Sequence, residues 1–488
     1  MKKCLITILD EVNCKLTGLE PATIRKCVAA LKFTVPNARF LPSVRLGRWD
    51  GKVSYFSVGG NTQINLLSYV IPLIEQDNYA IDIDDLRISH NISFNPIDEN
   101  VISNNKWPSN HPTRPDQPII LMPHQVEVVN ACLKNLQGVQ IVPTSAGKTI
   151  LSATLCKQVE HLGKTILIVP NKQLVKQTHE DFLLLGIDVG VYFGDQKDLR
   201  KQHTICTWQS LEMLQKKSKL ENCDYTIDDM VDDVVAVIVD EAHNSSAACL
   251  TNLLTRAFRN VPIRWGLTGT LPKEEHLKIA ISACIGNVIN KITASDLQAI
   301  GVLSNCEIQI MQLESSATFR TYQEETAFLT SDKTRLNVLA KFVNVISEDG
   351  NTLVLVQNIK TGKYLESIIK DSIFISGAVK VDDRKEEYDK IATENNKIII
   401  ATFGVASTGI NIPRIYNLVF LEAGKSFVKV IQSIGRSLRR ASDKDFAIIY
   451  DFCSTTKYSK KHLTERKKFY KEQKFPFSIN KIDTNEFS

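Results

Sequence analysis

The sequence has no apolar run approaching the ~18 residues of a membrane-spanning helix. Its N-terminus, MKKCLITILDE, meets the acidic pair Asp10–Glu11 before a signal-peptide core can form. Neither membrane insertion nor export is therefore expected. The 11 cysteines include no C-x-x-C pair and no Cys/His cluster with metal spacing, which argues against a zinc site and for reduced, buried thiols in a cytosolic protein. Charge of one sign is also scarce. Lys plus Arg number 59 against 54 Asp plus Glu, so the net +5 does not by itself mark a polyanion binder, and local patches must decide. The 43% hydrophobic and 23% charged residues exclude global disorder, and 488 residues suggest about three domains at ~150 residues each.

Organisation follows from periodicity. Residues 3 to 18 alternate like strands, and PATIRKCVAAL places Ile24, Cys27, Val28 and Leu31 on one helical face, so residues 1–105 read as a small α+β unit. Pro108, Pro112, Pro115 and Pro118 mark residues 106–120 as a linker. Beyond it, VQIVP, KTILIVP, VGVYFG, HTICTW, VVAVIVD and IRWGLTGT alternate with helical segments over 121–303. CEIQIMQL, TLVLVQN, SIFISG, KIIIATF, YNLVFLEA and FAIIYDF repeat the rhythm over 304–455. Each run predicts a parallel sheet covered on both faces, giving an α/β chain with two tandem sheet domains. Residues 456–488 begin as a basic helical tail, KYSKKHLTERKKFYKEQK, while Asp224 to Asp233 is an acidic run; the two should not face the same ligand.

PTSAGKT lies between the strand VQIV and a helix, a placement that turns loop amides and a helix N-terminus into a phosphate cradle. Thr144, Ser145, Ala146 and Gly147 would line it, Lys148 would reach the β/γ-phosphates of ATP, and Thr149 would hold Mg²⁺. Val142 stands where the strict pattern has glycine. In VIVDEAH a β-branched strand delivers Asp240 and Glu241 to the C-terminal edge of a sheet, where open α/β folds bind ligands. Asp240 suits Mg²⁺ and Glu241 suits activation of the attacking water.

With these two elements in place the chain resembles the superfamily 2 helicases. Further motifs follow in that family's order: LMPHQVEVV, IVPNKQLVKQ, TWQS, GLTGT, ATFGVASTGINIP and QSIGRSLRR. The resemblance implies RecA-like domains and ATP between them, with Gln125 reading adenine and Gly409 and Asn411 near the nucleotide. It makes Gln432, Arg436 and Arg439 catalytic, an arginine stabilising the transferring phosphoryl group, and Thr268 and Thr270 couplers of hydrolysis to nucleic acid. Lys172, Gln173, Thr207, Thr402 and Thr408 become sugar-phosphate contacts, while Trp208 is read as packing. His124 replaces a frequent aromatic, and Asn411 an aspartate of some subfamilies.

The segment NARFLPSVRLGRWDGKVSYF additionally resembles the start of the UvsW-type bacteriophage recombination helicases. Its Arg39, Arg45, Arg48, Trp49 and Lys52 combine cations with a ring, a pairing suited to nucleic acid. The expected function is an ATP-dependent helicase or branch-migration motor on forked DNA, with other recombination proteins as possible partners. For a phage protein the location would be the host cytoplasm. Two alternatives stay open: a nuclease or restriction motor using Asp451, Glu465 and Lys467 as a metal site, and an ATP-gated clamp on RNA or DNA.

Overall fold

The computed structural model describes residues 2–88, 90–109, 114–143, 146–199, 201–219, 225–246, 248–376, 394–424 without 409–413, and 446–482. The chain divides into two compact units, Met1–Val142 with Gly147–Lys291, and Ile292–Ser488 with Pro143–Ala146.

The first unit opens with β1 (Lys2–Ile8), β2 (Asn13–Thr17), β3 (Lys32–Thr34), β4 (Lys52–Ser54), β5 (Asn61–Gln63) and β6 (Tyr79–Asp85). Four of these form a sheet in the order β5-β2-β1-β6, and β3 pairs antiparallel with β4. Alternation in β1 buries Cys4, Ile6 and Ile8, and Cys4 and Ile6 share a core with Cys27 of helix Pro21–Ala30 and Val70 and Ile74 of helix Leu67–Gln76. Proline at the first position starts the former helix, where its missing N–H costs no hydrogen bond.

This small core is not self-contained. Ile279 and Ala283, from the helix Glu275–Cys284 far along the chain, pack into it. Tyr55 donates to the His276 carbonyl at 3.1 Å, Asn65 to Gln137 Oε1 at 2.8 Å, and the Glu11 amide to the Arg259 carbonyl at 2.9 Å. Removal of residues 1–105 would therefore strip apolar cover from the helix Glu275–Cys284. Between them, residues 106–109 and 114–118 form no helix or strand beyond one bridge, Lys106 to Pro118.

That next sheet has eight strands: β7 (Gln137–Ile141), β8 (Lys164–Val169), β9 (Val189–Phe193), β10 (Gln196–Lys197), β11 (His203–Thr207), β12 (Val234–Asp240), β13 (Ile263–Thr268) and β14 (Val288–Lys291). Their order is β10-β9-β11-β8-β12-β13-β7-β14, parallel except at β10. The central strand β13 is buried throughout, as a parallel strand covered on both faces must be.

The second unit holds β15 (Asn305–Leu313), β16 (Thr352–Val356), β17 (Ser372–Ile375), β18 (Ile398–Thr402), β19 (Asn417–Leu421), β20 (Phe446–Ser454) and β21 (Phe477–Ile482) in the parallel order β17-β18-β16-β19-β20-β15-β21. All five side chains of β16 are buried; each large aliphatic there contributes ~1.5–3 kcal/mol. The C-terminal tail is more than a solvated helix. Helix Lys457–Glu472 buries Leu463, Arg466, Phe469 and Tyr470, and β21 then adds an edge strand beside β15. The alternation of FSINKI is too polar to predict that strand, which owes its place to the free edge of β15.

Asp451, on β20, is fully buried. Its two oxygens accept from Arg466 at 2.8 Å each, and Oδ2 also accepts from the Tyr470 hydroxyl at 2.9 Å. Glu465 instead pairs with Lys468 in solvent, 3.0 Å away. A metal site built on Asp451, Glu465 and Lys467 is ruled out, because the carboxylate it needs is saturated by an internal cation. Nine of the ten described cysteines are buried and none forms a disulfide. Burial pushes the Cys132 thiol up to about 12, which leaves it inert. Among the described residues no helix is long and apolar enough to cross a membrane.

Candidate active site

The chemistry gathers at the C-terminal ends of β7, β12 and β13, which are adjacent by pairing of β12 with β13 and of β13 with β7. Val142, in the place of the expected glycine, is wholly buried and donates to the Thr268 carbonyl at 2.8 Å, so it extends β7 by one step. The loop then reaches Gly147, whose φ of +87° ends it and opens the helix Lys148–Val159. A side chain at Gly147 would also collide with the Gln125 amide. Gln125, nearly buried, accepts the Met122 backbone N–H at 2.9 Å and so stands directly behind the loop. Thr149 follows Lys148 in the first helical turn and is half-buried.

Lys148 Nζ lies 2.6 Å from Glu241 Oε1 and 3.9 Å from Asp240 Oδ1. Glu241 holds φ at +53°, an uncommon conformation for a non-glycine residue that turns its side chain back over the strand end. Its amide donates to Asp240 Oδ1 at 2.9 Å. Burial disfavours charge on both carboxyls. At Glu241 the ammonium of Lys148 and the neighbouring His243 outweigh it and hold the carboxyl well below the usual range. At Asp240, burial dominates the pull of Lys148 and the carboxyl is raised.

His243 extends this chain of contacts. Its Nδ1 lies 3.3 Å from Glu241 Oε2 and 3.0 Å from Thr268 Oγ1. The Thr268 hydroxyl gives its proton to the Thr270 carbonyl at 2.8 Å and accepts the Thr270 amide at 3.3 Å. With its one proton committed, Thr268 must accept from His243, which fixes the imidazole proton on Nδ1. Gly266 makes the approach possible: a Cβ there would lie 2.8 Å from that of Ala242, so only glycine lets the D-E-A-H turn rest on β13. The contacts of His243 with Glu241 and Thr268 were missed in the sequence, although the D-E-A-H and G-L-T-G-T strings contain all three residues.

The remaining candidates lie on neighbouring strand ends or in the second unit. Lys172 is exposed and Gln173 half-buried at the start of helix Lys172–Leu184, which Asn171 caps through the Leu174 amide at 3.0 Å. Thr207 is buried, and its hydroxyl accepts the Ser210 amide at 3.3 Å as the cap of helix Trp208–Lys217. The same hydroxyl lies 2.9 Å from Ser210 Oγ. Trp208 packs against the core of the eight-stranded sheet. Thr402 closes β18, half-buried, and Thr408 ends the helix Phe403–Thr408. Arg39, Arg45, Arg48 and Lys52 are exposed and Trp49 is half-buried, its indole N–H donating to the Lys52 carbonyl at 2.8 Å. Thr144, Ser145, Gly409, Asn411, Gln432, Arg436, Arg439 and the Thr408 side chain lie outside the described residues.

The donor set fits Mg²⁺. Asp240 and Thr149 offer hard oxygens, and Mg²⁺ typically takes one or two protein oxygens with phosphate and water completing its shell.

Comparison with known proteins agrees with this geometry. Residues 118–273 match the family model described as type III restriction enzyme, res subunit, and residues 334–441 match the helicase conserved C-terminal domain. The chain is similar to the ATP-dependent DNA helicase uvsW of Enterobacteria phage T4, 24% identical over 475 residues that cover 92% of this chain and 90% of that one. It is 24% identical to a DNA 3'-5' helicase XPB of Kineococcus radiotolerans over 74% of this chain and 65% of the other. The structure of S. cerevisiae Dbp5 bound to RNA and ADP BeF3 shares the fold, with TM-score 0.53, 15% identity, and coverage of 76% of this chain and 91% of that one. Two parallel-sheet units, a lysine loop facing a D-E-A-H turn, and both helicase models in sequence on one chain lead to one assignment: the protein is a superfamily 2 helicase related to UvsW, an enzyme that hydrolyses ATP.

Proposed function

We propose that the protein is a DNA-stimulated motor that spends ATP to unwind or branch-migrate forked and recombination-intermediate DNA in the cytoplasm of a phage-infected host. The observation that carries this reading is the continuous path Lys148, Glu241, His243, Thr268. It joins the groups that handle phosphate and water to the G-L-T-G-T turn, so a change at the phosphate is felt in the adjoining strand end. The name of the phage T4 relative, a DNA helicase, supports DNA as the polymer.

In this mechanism Lys148 leaves Glu241 for the β/γ-phosphates, and the freed carboxylate orients and deprotonates the attacking water. Asp240 and Thr149 would hold Mg²⁺, which would supply charge neutralisation of the phosphates. Gln125 reads adenine at the back of the loop. Ala146 and Gly147, with Thr144 and Ser145, cradle phosphate, and Gly409 and Asn411 complete the nucleotide contacts. Arg436 or Arg439 stabilises charge on the transferring phosphoryl group, with Gln432 beside them. Lys172, Gln173, Thr402 and Thr408 grip the sugar-phosphate backbone, which carries no sequence information. Junction preference then falls to Arg39, Arg45, Arg48, Trp49 and Lys52.

The test is ATPase and unwinding on forked, four-way and blunt DNA, with Arg436→Ala and Arg439→Ala alongside the parent. A motor shows DNA-stimulated hydrolysis and forked or four-way substrates processed ahead of blunt ones, with one arginine variant slowed by ~10³. Hydrolysis indifferent to DNA, or arginine variants that lose DNA binding and keep full ATPase, overturns the reading.

A further inference from the structure

Between the paired strands β3 and β4 the chain makes an excursion built from a 3₁₀ turn, Ala38–Phe40, and a short helix, Pro42–Arg45. It is tied down internally. Ala38 is buried, the Val35 amide donates to the Gly51 carbonyl at 2.9 Å, Arg48 to the Ser43 carbonyl at 2.8 Å, and the Trp49 indole to Lys52. Such anchoring uses the small and polar residues and leaves the large apolar ones outside. Phe40 and Leu46 are each 64% exposed and Leu41 is 43% exposed.

Single exposed apolar residues are ordinary, but three between positions 40 and 46 of one anchored excursion are not explained by folding. Their surroundings narrow the occupant. Arg39, Arg45 and Arg48 are exposed, none has a carboxylate within ion-pairing distance among the described residues, and residues 32–49 contain no acid. The first acid to follow, Asp50, is already engaged by Lys32 at 3.2 Å and by the Lys52 amide at 3.0 Å. The Arg39 guanidinium lies 4.8 Å from the centre of the Phe40 ring, so cation and ring present themselves together. Apolar tips flanked by unpaired guanidiniums fit a polyanion that also offers flat, stackable faces.

We propose that Phe40 and Leu46 form a wedge that inserts at unstacked bases where duplex meets single strand, while Arg39, Arg45 and Arg48 hold the flanking phosphates. This rests on the DNA-motor reading and deepens it, because it names the side chains that would tell a junction from a continuous duplex. The ring that stacks is Phe40 rather than Trp49, whose indole is committed to the excursion itself.

The full chain and two variants, Phe40→Ala/Leu46→Ala and Arg45→Gln/Arg48→Gln, are compared on a fork carrying 2-aminopurine at the branch point and on a plain duplex. With the parent, binding should change the 2-aminopurine fluorescence. The apolar double variant should lose that change even at saturating protein, and its preference for fork over duplex should fall on the order of 10-fold while the salt slope stays. The arginine variant should instead reduce the log-log salt slope by ~0.9 per lost phosphate contact. Restoration of the signal by Phe40→Trp would support stacking. An apolar double variant with the parent's melting temperature, fluorescence change and fork preference overturns the wedge and leaves the patch as a protein-docking surface. ATPase of the parent that DNA does not stimulate would fail the motor reading instead, a separate result.

Discussion

Lys148 and Glu241, one from the phosphate loop and one from the D-E-A-H turn, meet at 2.6 Å although 93 positions separate them in sequence. Each satisfies the other's charge in a pocket where their side chains are only 11% and 14% exposed. Lys148→Ala therefore removes the counter-charge of two carboxylates and, on the proposed mechanism, a phosphate ligand. Turnover should fall by ~10²–10³ and ATP affinity with it, measured by steady-state hydrolysis and nucleotide titration. Wild-type rates would dismiss Lys148 as the phosphate lysine.

Glu241→Gln keeps shape and leaves Asp240 in place, but a neutral amide cannot take a proton from water. Hydrolysis should slow by ~10² or more while ATP and DNA still bind, as single-turnover hydrolysis and binding isotherms would show. Retained turnover would move the base elsewhere.

The contact of His243 with Thr268 predicts non-additive behaviour. His243→Ala and Thr268→Val each break the hydrogen bond between them, Thr268→Val losing its contacts with Thr270 as well, and the double variant loses the shared bond only once. A double-mutant cycle on denaturant unfolding should return a coupling of ~0.5–3 kcal/mol, and DNA stimulation of ATPase should fall in both single variants. Additive effects would show that the two side chains do not communicate.

His203 at the start of β11 is buried, and neither ring nitrogen has a hydrogen-bond partner among the described residues. Burial lowers its pKa from 6.5, with the carboxylate of Glu160, 3.9 Å away, opposing only in part. The unfolded chain thus takes up a proton that the folded chain refuses. The stability contribution is complete above about pH 6.5 and is lost as the pH falls toward the depressed folded value. Melting curves between about pH 7 and 5 should drop more steeply for the parent than for His203→Leu. Parallel slopes would show that His203 does not titrate on unfolding.

Arg466 joins helix Lys457–Glu472 to β20 through Asp451, and it also donates to the Ala423 carbonyl. Arg466→Leu leaves a carboxylate buried without its cation, at a cost of ~3–5 kcal/mol. Arg466→Leu combined with Asp451→Leu should recover much of that loss, because no charge is then stranded. A single variant as stable as the parent in urea would reduce the tail to decoration.

Much of this protein is written along the chain. The apolar runs specified the two sheets, because a parallel strand covered on both faces must be hydrophobic throughout: HTICT and TLVLV became fully buried strands. PTSAGKT and VIVDEAH announced phosphate chemistry because glycine, lysine and paired acids at strand ends have few other uses there. Other features depend on which distant segments meet. FSINKI is too polar to declare itself a strand until β15 offers an edge. Asp451 reads as a metal ligand until Arg466 arrives from the tail to neutralise it, and that the buried hydroxyl of Thr207 caps a helix shows only in the fold. The first hundred residues look independent until Ile279 and Ala283 complete their core. Local periodicity records which face of an element is apolar, but a charge or an edge acquires its role from the partner opposite, and that partner is chosen only by the folded chain.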